Sequence, residues 1–405
     1  MSNNEDNVLE SNQEVLDINT SETSEIRSLK DLIDHVSGKH IPPFEHEIDS
    51  GLADPIAFPF LAIVGQYEMK LALSLVLINP HIGGVLLIGP RGTGKTTAVR
   101  SLIDILPNVE ISKCYYGCLP EDIEFGGFEA ICPDCAEKYS KGISLTKTEP
   151  VHLVELPLNA ELGNVIGGFD ERQLIHHRMR LKRGIMASAD KNILYIDEVN
   201  LLSDEIINAI LDAAAMGKYT IRRGPVSATY RSKFSLIGSM NPEEGKLRPQ
   251  ILDRFGLRVI TRGLDLDSER LEAYQRSIKF KSNPRLFINQ YLKETELAKF
   301  EIEEAQKLVW KVKLPDQIAT AGINLIRDLK IDSLRAEITL FESAKALTAA
   351  DKRTEVTIED LAVVSPIALR LRSSTFMDNY VKQTEKAEQS LKNRITEILK
   401  VNQIE

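Results

Sequence analysis

Short apolar runs alternate with amphipathic stretches between Phe58 and about Arg262. The stretches between the runs show the apolar spacing of helices. Because strands that alternate with helices form parallel sheets, the pattern predicts an α/β fold with helices on both faces of one sheet. The runs with the length and aliphatic character of buried strands are residues 85–88, 109–112, 151–156, 193–196 and 234–238.

The pattern changes after about Asp265, where strand-like runs fade and helical spacing takes over. We therefore expect an α/β domain over residues 51–264 and a separate helical domain over 265–375. A charged helix is expected over 376–405. Residues 1–50 are rich in Asn, Ser, Glu and Asp, which predicts a disordered acidic tail.

The net charge of −9 is concentrated at one end of the chain. Residues 1–50 contain 12 acidic and 3 basic side chains, so the remaining 355 residues carry 47 of each sign. Nucleic-acid-binding domains carry a basic field, so this balance predicts no nucleic-acid partner. The sequence has no apolar run of the roughly 18 residues that a membrane span needs. Its polar start is unlike a signal peptide, and we expect a cytoplasmic protein.

A glycine-rich segment directly follows the first predicted strand and matches the GxxxxGK[ST] spacing of phosphate-binding loops. Its glycines let backbone N–H groups surround phosphates, and the N-terminus of the next helix favours negative charge. We expect Lys95 to contact the β- and γ-phosphates and the Thr96 hydroxyl to hold Mg²⁺. The strand–loop–helix order predicts an ATP or GTP site formed by Gly89, Pro90, Arg91, Gly92, Thr93, Gly94, Lys95, Thr96 and Thr97.

Two later strands end in polar residues that suit nucleotide hydrolysis. Asp197 and Glu198 follow one buried strand, where they would hold Mg²⁺ and polarise the attacking water, respectively. Asn241 follows the next predicted strand and would orient that water. The alternatives are an acidic strand end without function and an Asn that caps a turn.

Longer phrases in the chain resemble the small ATPase subunit (subunit I) of magnesium chelatases, which are AAA+ ATPases. The resemblance covers roughly residues 56–375. It implies an AAA+ core with a helical lid, assembled into a ring that is expected to be hexameric. ATP turnover would drive a partner that inserts a metal into a tetrapyrrole such as protoporphyrin IX. The phrases are FPFLAIVGQ from Phe58, IGG from Ile82, GPRGTGKTT from Gly89, LYIDEVNLL from Leu194, NPEEG from Asn241, LRPQILDRFG from Leu247 and LRAEIT from Leu334.

The resemblance also implies roles for single residues. Asn241 matches sensor 1, and Arg254 matches the arginine finger that a neighbouring subunit offers to the γ-phosphate. Arg335, in the lid, matches sensor 2, which reads the γ-phosphate of its own chain. Val64 and Gln66 are expected beside the adenine. For the arginine finger, a surface ion pair with the preceding aspartate is the alternative.

Two insertions complete the expected α/β domain. Residues 218–230 alternate around a Gly-Pro turn and predict the hairpin that precedes sensor 1. The resemblance implies that residues 159–187 form a loop inserted in the helix before Asp197. The resemblance implies that such elements face the ring pore or the partner, and a plain surface loop is the alternative for each.

All four cysteines lie within 22 residues, as Cys114-x₃-Cys118 and Cys132-x₂-Cys135. Two close pairs at this separation are typical of a tetrahedral Cys₄ zinc site, and disulfides are rare in cytosolic proteins. We expect a structural zinc that staples an insert at 113–150. An iron–sulfur cluster and unligated thiols are the alternatives. The magnesium-chelatase family has no such cysteine set as a general feature.

These observations leave the driven reaction open. The leading interpretation is an ATPase that drives a magnesium chelatase, with ATP, Mg²⁺ and zinc as cofactors. Its expected partners are further copies of the chain and a protein with a von Willebrand factor A domain. The alternatives are the ATPase of a cobalt chelatase and a MoxR-like chaperone that remodels a partner with that domain. A DNA motor is disfavoured by the balanced charge outside the tail.

Overall fold

The computed structural model describes residues 56–169, 181–224, 226–245 and 247–372. The expected acidic tail at 1–50 and the expected helix at 376–405 lie outside these ranges. The domain limits drawn from the sequence therefore stay predictions.

A five-stranded parallel sheet with the strand order β11-β1-β10-β7-β4 forms the centre of the molecule. β1 and β7 are buried along their whole length, as expected for strands with helices on both faces. The predicted parallel α/β architecture is confirmed. The described strands are β1 (Val85–Ile88), β2 (Val109–Ser112), β3 (Thr146–Glu149), β4 (Leu153–Leu156), β5 (Gly167–Phe169), β6 (Leu181–Arg183), β7 (Ile193–Ile196), β8 (Lys218–Arg223), β9 (Val226–Arg231), β10 (Ser235–Met240) and β11 (Leu257–Ile260).

Two strands differ from the sequence-based prediction. Residues 109–112 do form a strand, β2, but it pairs antiparallel with β3, apart from the central sheet. Each β2 residue is half-buried or exposed, unlike the fully buried β1. The fifth strand of the sheet is instead β11, whose apolar run is interrupted by Arg258. That side chain is only 1% exposed, because its guanidinium donates to backbone carbonyls such as that of Leu371, at 2.7 Å.

Helices cover both faces of the sheet, and the alternating residues of β1 enter two separate hydrophobic cores. Val85 and Leu87 pack with α1, α2 and the lid helices, whereas Leu86 and Ile88 pack with α7. The described helices are α1 (Tyr67–Ile78), α2 (Lys95–Ser101), α3 (Pro120–Gly126), α4 (Pro133–Ser140), α5 (Leu162–Ile166), α6 (Ile185–Ser188), α7 (Asp204–Met216), α8 (Pro249–Arg254), α9 (Asp267–Ser282), α10 (Pro284–Leu308), α11 (Asp316–Asp328), α12 (Leu334–Ala350) and α13 (Ile358–Leu369).

The last five helices of the described residues, α9 to α13, form the predicted helical lid. α12 packs against α1, and α13 packs against β11. Arg372, which follows α13, donates to the carboxylate of Asp253 at 2.7 Å and to the carbonyl of Gly256 at 2.9 Å. The end of the lid is thereby anchored just before β11, at the amino end of the sheet. None of the described helices is both long and apolar enough to cross a membrane.

Three small antiparallel pairs lie outside the central sheet. β8 and β9 form the hairpin expected from residues 218–230, with Tyr219 opposite Tyr230. β5 and β6 lie within the expected insertion at 159–187, part of which lies outside the described ranges. β2 and β3 close the base of the cysteine insert, a name we use for residues 113–150.

Candidate nucleotide-binding site

The carboxyl ends of β1, β7 and β10 meet at one edge of the sheet and frame a pocket of about 270 Å³. Ligands bind at this edge in open α/β sheets. The structure therefore brings together the predicted loop, the carboxylate pair and the amide. The residues around the pocket are Arg91, Gly92, Thr93, Gly94, Lys95, Thr96, Thr97, Asp197, Glu198, Ser239 and Asn241.

At two positions, the loop after β1 has a backbone conformation that only glycine adopts readily. Gly92 and Gly94 have φ angles of 80° and 82°, in the left-handed region, and α2 begins directly after them. Gly89 is required for another reason, since a Cβ there would lie 2.3 Å from the carbonyl oxygen of Thr261. The loop is thus clamped against the chain after β11 and ends at a helix N-terminus.

Lys95 is only 9% exposed, and its ammonium lies inside the loop. It donates to the carbonyl oxygens of Gly89 at 2.7 Å and Pro90 at 2.8 Å. Burial lowers the pKa of Lys95, and the carboxylates of Asp197 and Glu198 act in the opposite direction. Because its hydrogen bonds go to neutral carbonyls, a phosphate in the loop would compensate this buried charge.

The carboxylate of Asp197 is held by hydroxyl groups on three sides. Ser239 donates to one of its oxygens, Tyr195 donates to the same oxygen at 2.9 Å, and the Thr96 hydroxyl is 3.4 Å from the other. Hydroxyl and carboxylate oxygens are ligands that Mg²⁺ accepts. The pair of Thr96 and Asp197 therefore fits the role of holding Mg²⁺ together with phosphate oxygens and water.

Glu198 has a strained backbone and a basic neighbour. Its φ of 52° is unusual for a residue with a side chain, and its N–H donates to the Ser239 hydroxyl at 3.2 Å. The guanidinium of Arg91 lies 3.3 Å from the Glu198 carboxylate and 2.6 Å from that of Glu244. The carboxylate thus projects into the pocket beside a cation from the phosphate loop.

Asn241 is buried, with 4% of its surface exposed. Its amide nitrogen donates to Glu244 at 3.1 Å, and its amide oxygen accepts from the N–H of Glu243 at 3.3 Å. The residue therefore caps the turn after β10 and also lines the pocket. The two interpretations of this position in the sequence are compatible.

Val64 and Gln66 lie on the segment before α1, which runs beside the chain that follows β11. The Gln66 amide donates to the carbonyl of Arg262 at 2.6 Å, and Gly65 is packed against Leu264. Thr261 of the same stretch contacts the phosphate loop at Gly89. Both half-buried side chains therefore flank the loop, and their contact with adenine stays a prediction.

Arg254 and Arg335 do not line the phosphate pocket of their own chain. Both line a separate cavity of about 730 Å³, together with Ser235 at the start of β10. Ser239, four residues further along that strand, lines the phosphate pocket. At roughly 3.3 Å per residue the two serines are about 13 Å apart. Arg335 thus lies away from the phosphate pocket of its own chain, because the lid is anchored at the opposite edge, and its expected role as sensor 2 stays a prediction.

Acidic residues fix the orientation of both arginines. Arg254 makes its ion pair with Asp212 of α7, at 2.6 Å, rather than with Asp253 as the alternative expected. Asp253 instead accepts hydrogen bonds from Arg372 and from the hydroxyl of Ser333, at 2.7 and 3.2 Å. It lies 3.8 Å from Arg335. Asp253 thus links helix α8, which carries Arg254, to the lid.

The four cysteine sulfurs form one cluster, with every pair within 4.8 Å. The Cys114 sulfur is 3.5 Å from those of Cys118 and Cys132. Zn–S bonds of about 2.3 Å in a tetrahedron place sulfurs about 3.8 Å apart, so the cluster has the size of a Cys₄ site. Hydrogen bonding between the Cys114 and Cys118 sulfurs lowers the pKa of Cys114, which favours a thiolate.

Three residues of the site were not predicted. Tyr195 and Ser239 are polar residues inside buried strands, each two positions before a predicted site residue. Since side chains two residues apart share a face of a strand, this spacing is a signal that places both hydroxyls beside the pocket. Glu244 lies on the turn after β10, and no periodic pattern marks its contact with Arg91.

The phosphate loop, the paired carboxylates and the polar end of β10 on this parallel sheet define a P-loop ATPase of the AAA class. The model of the AAA domain (dynein-related subfamily) matches residues 84–255, and that of the AAA lid domain matches 321–392. A crystal structure of a protein from Cytophaga hutchinsonii is similar to this chain, with a TM-score of 0.50 and 19% sequence identity. The similar region covers 77% of this chain and 84% of that protein, and at this identity it supports the fold alone.

Two relatives narrow the class to a family. The magnesium-chelatase subunit ChlI homolog of Methanocaldococcus jannaschii is 43% identical over 338 residues, which cover 82% of this chain and 90% of the relative. The magnesium-chelatase subunit ChlI of a Nostoc species is 39% identical over 320 residues, which cover 78% of this chain and 84% of the relative. The chain belongs to the ChlI family of magnesium-chelatase AAA+ subunits. The resemblance seen in the sequence is confirmed.

Ser239→Ala tests whether Ser239 supports Asp197, the residue expected to bind Mg²⁺. The variant loses the hydroxyl that donates to Asp197 and accepts from the Glu198 N–H. A hydrogen bond to a charged group is worth about 1.5–3 kcal/mol, so we expect ATP turnover to fall by roughly 10- to 100-fold. The Mg²⁺ concentration for half-maximal turnover should rise. Ser227→Ala, at an exposed position of β9, is the control; if both variants turn over ATP equally, Ser239 does not support the site.

Proposed function

We propose that the chain is the ATP-hydrolysing motor of a chelatase complex and couples hydrolysis to the insertion of Mg²⁺ into protoporphyrin IX by partner subunits. The observation that carries the proposal is about 40% identity over most of the chain to proteins named as magnesium-chelatase subunits. The assembled phosphate pocket supports ATP as the energy source. A von Willebrand factor A domain protein is the partner we propose.

The residues of the pocket divide the work of hydrolysis. Bound Mg²⁺–ATP supplies an electrophilic phosphoryl group and charge neutralisation. The loop N–H groups and Lys95 would hold the phosphates, while Thr96 and Asp197 would hold the metal. Glu198 accepts a proton from the attacking water, and Asn241 orients that water. The ion pairs of Arg91 with Glu198 and Glu244 keep this carboxylate at the mouth of the pocket.

The separation of the two arginines from the phosphate loop supports a site completed by a neighbouring subunit. The phosphates would lie at the carboxyl edge of one sheet, and Arg254 with Arg335 lies at the amino edge. A head-to-tail contact between copies brings the two edges together. Repetition of such a contact closes into a ring if the rotation allows it, and we propose a hexamer. In this arrangement Arg335 acts in the site of the neighbour, as Arg254 does.

Metal insertion assayed with the cognate partner subunits tests the function. We expect the fluorescence of Mg-protoporphyrin to appear only with this chain, ATP and Mg²⁺ present, and not with Lys95→Ala, which lacks the buried ammonium. Insertion of Co²⁺ but not Mg²⁺ would favour the cobalt chelatase. ATP-dependent remodelling of the partner without insertion of either metal would favour the MoxR-like chaperone and contradict the proposal.

Mixing two inactive variants tests the shared site. Glu198→Gln lacks the proton acceptor and Arg254→Ala lacks the finger, so each alone should hydrolyse ATP at least about a hundredfold more slowly. In an equal mixture, interfaces with both intact residues form, and turnover should recover to about a quarter of the wild-type rate. Arg335→Ala mixed with Glu198→Gln should recover in the same way. A mixture as inactive as its components would contradict action on a neighbour.

The cysteine cluster is proposed to hold one structural zinc. The sulfur distances support it, and backbone amides of Tyr116 and Cys132 donate to the sulfurs of Cys114 and Cys118 at 3.3 and 3.4 Å. Such donors stabilise thiolate ligands. A site closed by four ligands leaves no position for substrate, so its role is structural.

Metal analysis tests this site. Protein purified without chelators should contain about one zinc per chain, and Cys118→Ser should lose most of it. Iron in place of zinc would indicate the iron–sulfur alternative. Absence of any metal would leave the thiols unligated and contradict the proposal.

A further inference from the structure

The turn between Cys114 and Cys118 lies against two antiparallel pairs that belong to other parts of the chain. These are the β8–β9 hairpin and the β5–β6 pair. The turn has a tight geometry, with Gly117 at φ 82° and its N–H donating to the Cys114 carbonyl at 3.2 Å. It carries two adjacent aromatic residues, Tyr115 and Tyr116.

Both tyrosines pack on the β8–β9 hairpin. The Tyr116 ring is stacked on that of Tyr230, with centroids 5.8 Å apart and planes inclined by 28°. Tyr115 meets the same ring edge-on at 6.2 Å. Tyr230 is only 1% exposed and also contacts Tyr219 across the hairpin, at 5.8 Å. The turn thus buries the aromatic side of the hairpin.

A second contact joins the cysteine insert to β9. The carboxylate of Asp122 in α3 accepts two hydrogen bonds from the guanidinium of Arg231, both at 3.2 Å. The arginine side chain is 14% exposed, so the pair is largely shielded from water. A Cβ on Gly117 would lie 3.0 Å from the Cβ of Arg231, which shows how closely the turn approaches this strand.

Tyr115 also reaches the β5–β6 pair. Its hydroxyl accepts from the N–H of Arg183 at 3.0 Å, and the Arg183 guanidinium lies 5.3 Å from the centre of its ring. The two pairs touch each other as well, because the Tyr219 hydroxyl donates to the carbonyl of Ile166, just before β5, at 3.0 Å. The turn therefore occupies the junction of both pairs.

The two tyrosines lie between two of the cysteines, so the contacts that they make with both antiparallel pairs depend on how these cysteines are held. Tyr115 and Tyr116 are the residues directly between Cys114 and Gly117, so a metal held by Cys114 and Cys118 would fix both. The apolar core of the insert is small: besides the cysteines it contains Ile131 and Leu145, with Ile123 and Ala136 packed against them. A core of this size folds reliably only with a staple.

We infer that the metal-bound cysteine insert is a strut that holds the β8–β9 hairpin and the β5–β6 pair in one fixed arrangement. This inference rests on the proposed zinc site. The surface formed by the two pairs then depends on metal occupancy. The phosphate pocket is lined by other residues, so loss of the strut changes that surface before it changes ATP binding.

Hydrogen exchange of the full chain, followed by mass spectrometry, tests the strut. Tyr116→Leu removes the ring stacked on Tyr230 but leaves all four cysteines, so the zinc content should stay at about one per chain. We expect amides of β8–β9 to exchange about fivefold faster in this variant, since an aromatic pair contributes about 1 kcal/mol. Cys118→Ser, which lacks one ligand, should give this increase and also faster exchange in β6, because the turn then no longer holds Tyr115 against Arg183. Affinity for ATP should not change in Tyr116→Leu.

Tyr139→Leu is the matched control, because this tyrosine of α4 packs on Phe128 within the insert. Its exchange rates in both pairs should equal those of the wild type. An increase confined to residues 113–150 in Tyr116→Leu and Cys118→Ser would overturn the inference. If the wild-type protein contains no metal, the zinc site and the metal dependence of the strut are contradicted. The contacts of the turn with the two pairs are not. The comparison of Tyr116→Leu with Tyr139→Leu would still decide whether the turn holds the β8–β9 hairpin.

Discussion

The pairing of β10 with β1 on one side and β7 on the other is the constraint from which the site follows. Ile237 lies opposite both Val85 and Tyr195, so one residue of β10 fixes the register of all three strands. The pairing of Gly238 with Ile196 then sets the next residue of each strand side by side, which brings the Ser239 hydroxyl to Asp197. The Gly89 N–H donates to the Met240 carbonyl at 3.1 Å and joins the phosphate loop to this row.

The same sheet also separates two groups of candidate site residues. The groups that hold phosphate and metal lie at its carboxyl edge, and the arginines that match the finger and sensor 2 lie at its amino edge. A lid anchored through Arg372 and Asp253 keeps Arg335 at that second edge. We propose that each chain holds an incomplete site. This gives such an ATPase a physical reason to assemble, because a neighbour can supply the arginines that lie too far from the phosphate loop of their own chain.

Sequence patterns predicted the parts of this molecule that depend on local periodicity. The buried runs of β1, β7 and β10, the phosphate loop and the carboxylate pair were all recognisable, because a strand buried on both faces has a continuous aliphatic run. β11 was not, because Arg258 breaks its run and is held by contacts outside the strand, with carbonyl oxygens after α13 and with the Asp253 carboxylate at 3.7 Å. The placement of Arg335 depends on how the lid packs on β11, which no local pattern encodes.

The cysteine insert shows the same limit at a smaller scale. The spacing of Cys114, Cys118, Cys132 and Cys135 predicted a cluster, and the structure brings the four sulfurs together. The contacts of Tyr115 and Tyr116 with strands more than 60 residues away could not be deduced from that spacing.

The central claim is that each nucleotide site is shared by two chains. A structure of the assembled protein with a non-hydrolysable ATP analogue and Mg²⁺ tests it most directly. We predict that Arg254 of one chain leaves Asp212 and donates to the γ-phosphate held by the loop of its neighbour, at about 3 Å. An assembled, nucleotide-bound structure with Arg254 still paired to Asp212, and no arginine of a neighbour at the γ-phosphate, would contradict the account.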